Sequence, residues 1–192
     1  MKKTLIIIAA IAVVVLWIMG AYNGFVEQQE KATTALANVE AAYQRRADML
    51  PQLAKTVKAY AKHEKETFEE VTKARSQAAQ IHLDANDLTP EKIKQFEQVQ
   101  GELQQALSKL MAVAEAYPEL KASDNFKALQ DQIEGTENRI NEARRNYNEA
   151  VQDYNAAIRK MPKAIVARYA GFETMNKFEA AAGAEKAPDL DI

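Results

Sequence analysis

The stretch SDNFKALQDQIEGTENRINEARRNYNEAVQDYNAAIRKMP, residues 123–162, decides the fold of this chain. Large apolar side chains recur in it at every seventh position, namely Phe126, Ile133, Ile140, Tyr147, Tyr154 and Met161. A repeat of seven places these side chains on one face of an α-helix, which is typical of helices that pack side by side. Ser123 is suited to cap the beginning of the helix, and Pro162 to end it. The stretch therefore predicts one long helix whose apolar face needs partner helices.

Two segments before this stretch show the same repeat. The first contains Leu36, Val39, Tyr43, Leu50, Leu53, Val57, Tyr60, Val71, Ala74 and Ile81, and the second contains Phe96, Leu103, Leu110 and Tyr117. We expect the first helical segment to end near His82, and the second to begin at Thr89 as N-cap, followed by Pro90. A last amphipathic helix is predicted from about Lys163 to Phe178. The predicted fold class is all-α: an elongated antiparallel bundle of long helices with a heptad pattern.

Pro51 interrupts the first of these segments. A proline removes one helical hydrogen bond, so either a kink or a hairpin is expected there. We favour a kink, because the repeat continues through Leu50 to Val57 without a shift and residues 45–55 contain no Gly, Asn or Ser for a turn. With a kink, the helix from Pro90 folds back only as far as about Lys55, and the third helix then runs outward again.

This arrangement leaves one apolar seam without a partner in its own chain. The seam consists of Leu36, Val39, Tyr43 and Leu50. Four such side chains left in water cost several kcal/mol, so a second copy of the chain is expected to cover them. A hairpin at Pro51 would instead give a four-helix bundle within one chain. The kink therefore predicts a homo-oligomer.

The amino-terminal residues predict a membrane anchor, assigned to residues 1–26. Residues 5–21 are all apolar, and residues 4–26 carry no charge, which is long enough for a helix to cross a hydrocarbon core of ~30 Å. A cleaved signal peptide is the alternative, but the apolar run is longer than usual for one and the residues around Ala21 make a poor cleavage site. Lys2 and Lys3 favour a cytoplasmic amino terminus, and so an extracytoplasmic domain on the inner membrane of a bacterium. Gly20 and Gly24 are candidates for close packing of two spans.

Composition argues against most kinds of chemistry. The chain has no cysteine, which excludes disulfides, thiolate catalysis and cysteine-bound metals, and its net charge of −2 argues against nucleic-acid binding. His63-Glu64 begins like a zinc-protease motif, but Thr67 stands where the second histidine is needed. No phosphate-binding glycine loop is present. We expect no enzyme activity, no metal and no cofactor.

Polar residues on or near the apolar faces form the candidate site. The set comprises Arg46, Asp48, Glu64, Arg75, Glu137, Arg144 and Asn148. Buried charges must be paired, so these residues predict salt bridges that fix the register of the helices. The alternative is a recognition site for an anionic ligand or partner, built around the three arginines. Tyr-Asn pairs also recur, at residues 147–148 and 154–155 among others, and we expect their tyrosines in the core and their asparagines as hydrogen-bonding neighbours.

Several longer strings resemble the LemA family. They are RRADMLPQL at residues 45–53, YAKHE at 60–64, EAYPELKAS at 115–123, TEN at 136–138 and ARRNYN at 143–148. The similarity extends over residues 22–178, with small departures at Gln52 and Met161. It implies a bacterial protein with one amino-terminal span and an all-helical bundle, and no agreed enzyme activity.

These observations predict a membrane-anchored scaffold or adaptor of the bacterial envelope. It would act through contacts with envelope proteins and with copies of itself. A ligand-binding or sensing module built around the arginine and glutamate residues is the alternative. We assign residues 27–178 to the helical domain and residues 179–192 to a disordered tail.

Overall fold

The computed structural model describes residues 2–179 of the chain. This part contains six α-helices: α1 (Lys2–Tyr60), α2 (Lys65–Ala78), α3 (Pro90–Glu115), α4 (Pro118–Ala122), α5 (Asp124–Arg159) and α6 (Lys163–Tyr169). A 3-10 turn covers Ala85–Asp87, and no β-strand occurs within residues 2–179. The all-helical prediction is confirmed. The predicted disordered tail lies outside the described residues, apart from Glu179.

The first third of α1 is apolar and exposed, with side chains such as Leu16 and Val13 about two-thirds accessible. Among the described helices, α1 alone is long and apolar enough to cross a membrane, a test that a signal sequence near the amino terminus also passes. At Gly20 and Gly24, no other atom of residues 2–179, apart from the neighbouring backbone of α1 itself, lies within 4 Å of the position that a Cβ would take. The amino-terminal helix thus presents an apolar surface that the described residues leave uncovered.

α1 continues through Pro51 without a turn. The proline costs one hydrogen bond, but Leu50, Leu53 and Val57 on either side of it are fully buried. Their burial outweighs the loss of one bond, since each such side chain contributes about 1.5–3 kcal/mol. The hairpin considered for Pro51 is therefore not formed.

The chain reverses ten residues later, which corrects the prediction of a helix ending near His82. α1 ends at Tyr60, and α2 begins at Lys65 and packs back against α1. His82 consequently lies beside Glu40, with 3.0 Å between Nδ1 and Oε1. Residues 61–64 contain no helix breaker, so the turn depends on the burial of α2 against α1 rather than on local preference.

α3 and α5 begin where their capping residues predict. The Thr89 side chain accepts a hydrogen bond from the Lys92 amide at 3.3 Å, and the Ser123 side chain accepts one from the Phe126 amide at 3.3 Å. Pro90 occupies the first turn of α3. These bonds satisfy amides that would otherwise lack partners at a helix terminus. Both capping predictions are confirmed.

The prediction that the third long helix runs outward is wrong. Thr136 of α5 contacts Met49, whereas Tyr154, much later in α5, shares a cluster with Phe25. α5 therefore runs toward the amino-terminal part of α1. α2 runs back from the distal end of α1, and α3 returns the chain to that end. α5 therefore begins at the distal end and packs along α1 toward its amino-terminal part.

This path also corrects the prediction of an uncovered seam. Leu36, Val39, Tyr43 and Leu50 are each at most 5% exposed within one chain. The first three pack with residues from α3 and α5, among them Phe96, Ile140 and Tyr147, and Leu50 packs in a second cluster with α2 and α3. The seam is thus part of the core and offers no surface to a second copy.

The last predicted helix is shorter than expected. α6 ends at Tyr169, and Gly171 has φ +77°, a left-handed conformation that favours glycine and stops the helix. Residues 172–179, which we call the strap, are not helical. The strap returns along α5 and buries Phe178 against Tyr147 and Phe96. Its apolar residues had suggested a helical face, but they are anchors of a non-helical segment.

Candidate functional site

Arg46 lies in the centre of the helical domain and bonds to residues from two other helices. Its Nη1 donates to Glu137 Oε1 at 3.1 Å and to Gln104 Oε1 at 3.0 Å. Its Nη2 donates to the carbonyl and the side-chain oxygen of Gln100, at 3.0 and 2.9 Å. Only 6% of the arginine side chain is exposed, so a strong set of partners is needed to hold its charge there. The contacts tie α1, α3 and α5 together at one level.

Arg144 forms a second charged centre on α5, two helical turns after Glu137. Its Nη2 lies 2.6 Å from Glu97 Oε1 and donates to the carbonyl of Glu179 at 2.9 Å. Its Nη1 donates to the Tyr43 hydroxyl at 3.1 Å, and its guanidinium stacks over the Phe178 ring at 5.0 Å. Arg144 thereby joins the end of the strap to α1 and α3.

A cleft of about 970 Å³ opens beside the two arginines. Its polar lining includes Arg46, Gln100, Glu137, Asn141 and Arg144. Each arginine is already paired with a glutamate, so neither presents a free positive charge to an incoming anion. These pairs agree with the interpretation of the charges as links between helices, and they do not favour a site for an anionic ligand.

The strap is held in a groove by side chains that bind its main chain. Asn155 Nδ2 donates to the carbonyl of Met175, and Asn155 Oδ1 accepts from the amide of the same residue, both at 2.9 Å. Asn148 makes the same pair of bonds to the carbonyl and amide of Phe178, at 2.8 and 2.9 Å. An asparagine side chain that bonds to both the carbonyl and the amide of one residue can hold an extended chain, whatever side chain the bound residue carries.

The neighbouring tyrosines repeat this pattern. The Tyr154 hydroxyl donates to the carbonyl of Glu173, and the Tyr147 hydroxyl donates to the carbonyl of Asn176, both at 2.8 Å. The two Tyr-Asn pairs stand seven residues apart on α5, which is about 10.5 Å along a helix. Their partners on the strap stand three residues apart, which is about 10 Å for an extended chain. The repeat along α5 therefore matches the repeat of an extended polypeptide.

Burial shapes the chemistry of these two hydroxyls. Burial raises the pKa of Tyr147 well above its usual value. Burial also raises the pKa of Tyr154, and the negative charge of Glu173 adds to this effect. Both hydroxyls therefore stay protonated and act as donors to the strap across the physiological range.

The structure brings together Arg46, Glu137, Arg144 and Asn148 from the predicted set. Asp48 is exposed on α1 and accepts a bond from Gln44, and Glu64 lies at the distal end, where the Tyr117 hydroxyl donates to it at 3.4 Å. Arg75 is exposed on α2. None of these last three residues bonds to the two arginine centres within the described part of the chain.

Sequence reasoning missed Glu97, Gln100 and Gln104 as partners of the arginines. They lie on α3 among other polar residues, and no local pattern distinguishes them from residues that face solvent. The strap was missed as well, although the recurring Tyr-Asn pairs were its signal. Two asparagine side chains seven residues apart on a helix, beside the core, match the spacing of groups along an extended main chain.

The polar contacts of this arrangement hold a polypeptide main chain. Within residues 2–179, no group of three or more His, Asp or Glu side chains is placed to hold a metal ion. The polar side chains of the groove donate to and accept from main-chain groups. The groove therefore has the properties of a peptide-binding surface that the chain itself fills.

Comparison with known proteins gives one family. The sequence model described as the LemA family matches residues 35–191 of the chain. That match covers every element from the middle of α1 onward, including both arginine centres and the strap. No curated protein matches the chain significantly.

Proposed function

Because the chain belongs to the LemA family, we propose that it is a membrane-anchored helical scaffold or adaptor of the bacterial envelope. Membership of this family fits a helical, envelope-associated protein. In the proposal, residues 1–26 anchor the chain, and residues 27–178 form an elongated antiparallel bundle with a heptad pattern. The bundle acts through protein–protein contacts and has no catalytic activity.

The groove on α5 carries the proposal. Two Tyr-Asn pairs bind six main-chain groups of the strap, so this surface is built to hold an extended polypeptide. Its charged neighbours Arg46 and Arg144 are paired with glutamates and support the helices around it. A surface that binds main chain and a framework of paired charges are features of a binding protein.

The anchor is supported by the way α1 joins the rest of the domain. α1 is continuous from Lys2 to Tyr60, and Ala21 and Phe25 near the end of the apolar segment are buried against α5 and α6. Cleavage near Ala21 would remove part of this cluster. Lys2 and Lys3 place the amino terminus in the cytoplasm and the helical domain outside it in this proposal.

In this proposal, self-association uses the membrane span of α1 rather than the buried seam. Gly20 and Gly24 are open to a neighbour, and a second α1 can approach them closely. We propose this contact as the route to a homo-oligomer in the membrane.

The test is gentle extraction of the full-length chain from native membranes, followed by measurement of its stoichiometry and identification of the proteins that accompany it. An Asn148→Ala/Asn155→Ala variant is the matched probe of the groove. Asn138→Ala/Asn146→Ala is its control, because both of those asparagines are exposed on α5.

In this proposal an extended segment of the partner takes the place of the strap in the groove. We therefore expect specific envelope proteins to accompany the parent chain and the control, and to be lost or strongly reduced with the groove variant. A chain that emerges monomeric and alone contradicts the scaffold proposal. Equal recovery of partners with the groove variant and the control contradicts the role given to the groove.

A further inference from the structure

The turn after α5 and the outer face of α6 expose large apolar side chains. Met161 is 71% exposed, Ile165 50% and Tyr169 89%. The three follow one another at intervals of four residues, and the two on α6 therefore share one helical face. We call the exposed side chains of residues 159–169 the basal surface.

The same surface is strongly basic. Arg159, Lys160, Lys163 and Arg168 are exposed, and residues 159–171 contain no Asp or Glu. None of the four basic side chains has an ion-pair partner within the described residues. Some exposed cations elsewhere in the domain are paired, as Lys31 is with Glu27, but the basal surface has no acidic residue of its own to pair with. The basal surface thus combines exposed apolar groups with unneutralised positive charge.

Its position in the fold relates it to the apolar segment of α1. Ala167 of α6 and Ile158 of α5 share a cluster with Ala21 and Phe25. α5 runs along α1 toward this cluster. The turn that follows Ile158 therefore lies further along, in the direction of the apolar residues 5–21. The basal surface therefore stands at the level where the proposed membrane span ends.

We propose that the basal surface binds the headgroup layer of the bilayer that contains α1. The exposed apolar side chains insert into the boundary between headgroups and acyl chains, and the basic side chains bind the phosphate groups of anionic lipids. Amphipathic segments of this kind bind membranes both by inserting apolar side chains and by electrostatic attraction, and each basic residue near an anionic surface adds to the attraction. The proposal rests on the proposed anchor and adds a second point of attachment.

Two arguments favour lipid over a protein partner for this surface. Its charge is complementary to anionic lipid, and it adjoins a segment that is itself apolar and exposed. Tyr169 and the lysines also have the long amphipathic side chains that suit a layer with one apolar and one aqueous side. With two points of contact, the bundle cannot swing freely about α1 and holds a fixed angle to the membrane.

The test uses the full-length chain in vesicles of phosphatidylcholine and phosphatidylglycerol with bromine atoms near the headgroup end of the acyl chains. The chain has one tryptophan, Trp17, whose quenching by bromine reports insertion of α1. Trp17→Phe/Tyr169→Trp moves the only indole to the basal surface. Trp17→Phe/Tyr60→Trp is the matched control, because Tyr60 is a partly exposed tyrosine at the distal end of α1.

We expect the indole at position 169 to lose roughly half of its emission in these vesicles, as for a side chain at the headgroup boundary, and the indole at position 60 to lose none. Quenching at position 169 should weaken in vesicles of phosphatidylcholine alone. Quenching of Trp17 without quenching at position 169 overturns the lipid contact and leaves the basal surface to a protein partner. If Trp17 is not quenched either, the anchor fails together with the contact.

Discussion

At the scale of single residues, Arg46 shows how one buried charge is accommodated. Four acceptor groups from Gln100, Gln104 and Glu137 surround its guanidinium, and the Tyr43 ring lies 5.0 Å from it. Burying an arginine is costly, and the pair with Glu137 offsets that cost only while both partners are present. Arg46 therefore connects three helices, and its loss leaves buried acceptor groups of its partners without a donor.

We expect Arg46→Ala to lower the free energy of unfolding by about 3 kcal/mol, because Glu137 and the Gln100 carbonyl lose their donor and a cavity remains. The adjacent Arg45→Ala change is the control, since Arg45 is exposed, and it should stay within about 0.5 kcal/mol of the parent chain. Chemical denaturation of the full chain in detergent, followed by circular dichroism, measures both. Equal stability of the two variants would show that the buried contacts contribute little.

At the scale of elements, the strap depends on α5 for its conformation. It has no helix or sheet of its own, and six of its main-chain groups bond to Tyr147, Asn148, Tyr154 and Asn155. Phe178 adds an apolar anchor in the core. Each Asn therefore holds one defined point of the strap, and the two points can be released separately.

Asn148→Ala should accelerate hydrogen exchange at the Phe178 amide, and Asn155→Ala should do so at the Met175 amide. Each change removes the acceptor of that amide, and each lost bond should cost about 1 kcal/mol locally. Amide exchange of the full chain in detergent, resolved by residue, measures the effect, with Asn146→Ala as control. If either variant accelerates both sites equally, the strap opens as one unit and the picture of separate points is incorrect.

At the scale of the whole molecule, three reversals determine which helices meet. The turn at residues 61–64 folds α2 back on α1, and residues 79–89 reverse the chain again into α3. The link through α4 then starts α5 at the distal end of α1. As a result, α5 packs along the buried face of α1 between Phe25 and Met49. One chain thereby completes the core that the sequence had seemed to leave to a second copy.

Cysteines introduced in place of Met49 and Thr136 test this path directly, because the two side chains are 3.4 Å apart and the natural chain has no cysteine. The Met49→Cys/Thr136→Cys variant should be joined within one chain by a short bismaleimide cross-linker, which spans the gap left by the shorter cysteine side chain, seen as a faster band in a denaturing gel. Met49→Cys/Arg139→Cys is the control, since Arg139 is exposed on α5. A product linked only between chains would show that α5 packs against another copy.

The predictions that succeeded rest on short-range patterns. The helical periodicity, the caps at Thr89 and Ser123, the apolar segment of α1 and the family resemblance can all be read from neighbouring residues. Four of the seven candidate residues, Arg46, Glu137, Arg144 and Asn148, lie together in the structure, because buried charges such as Arg46 and Arg144 must find partners. The sequence does not identify these partners, since Glu97 and Gln100 look like surface residues in it.

The sequence by itself determined the helical class, the apolar amino-terminal segment and the faces that the long helices bury. Only the tertiary structure decided where the chain reverses, which way α5 runs and that residues 172–179 form a strap. The physical reason is range: helix faces and caps depend on contacts within a few residues. A turn without breaker residues, or a segment held by side chains of another helix, depends on the burial and hydrogen bonds that distant parts of the chain supply together.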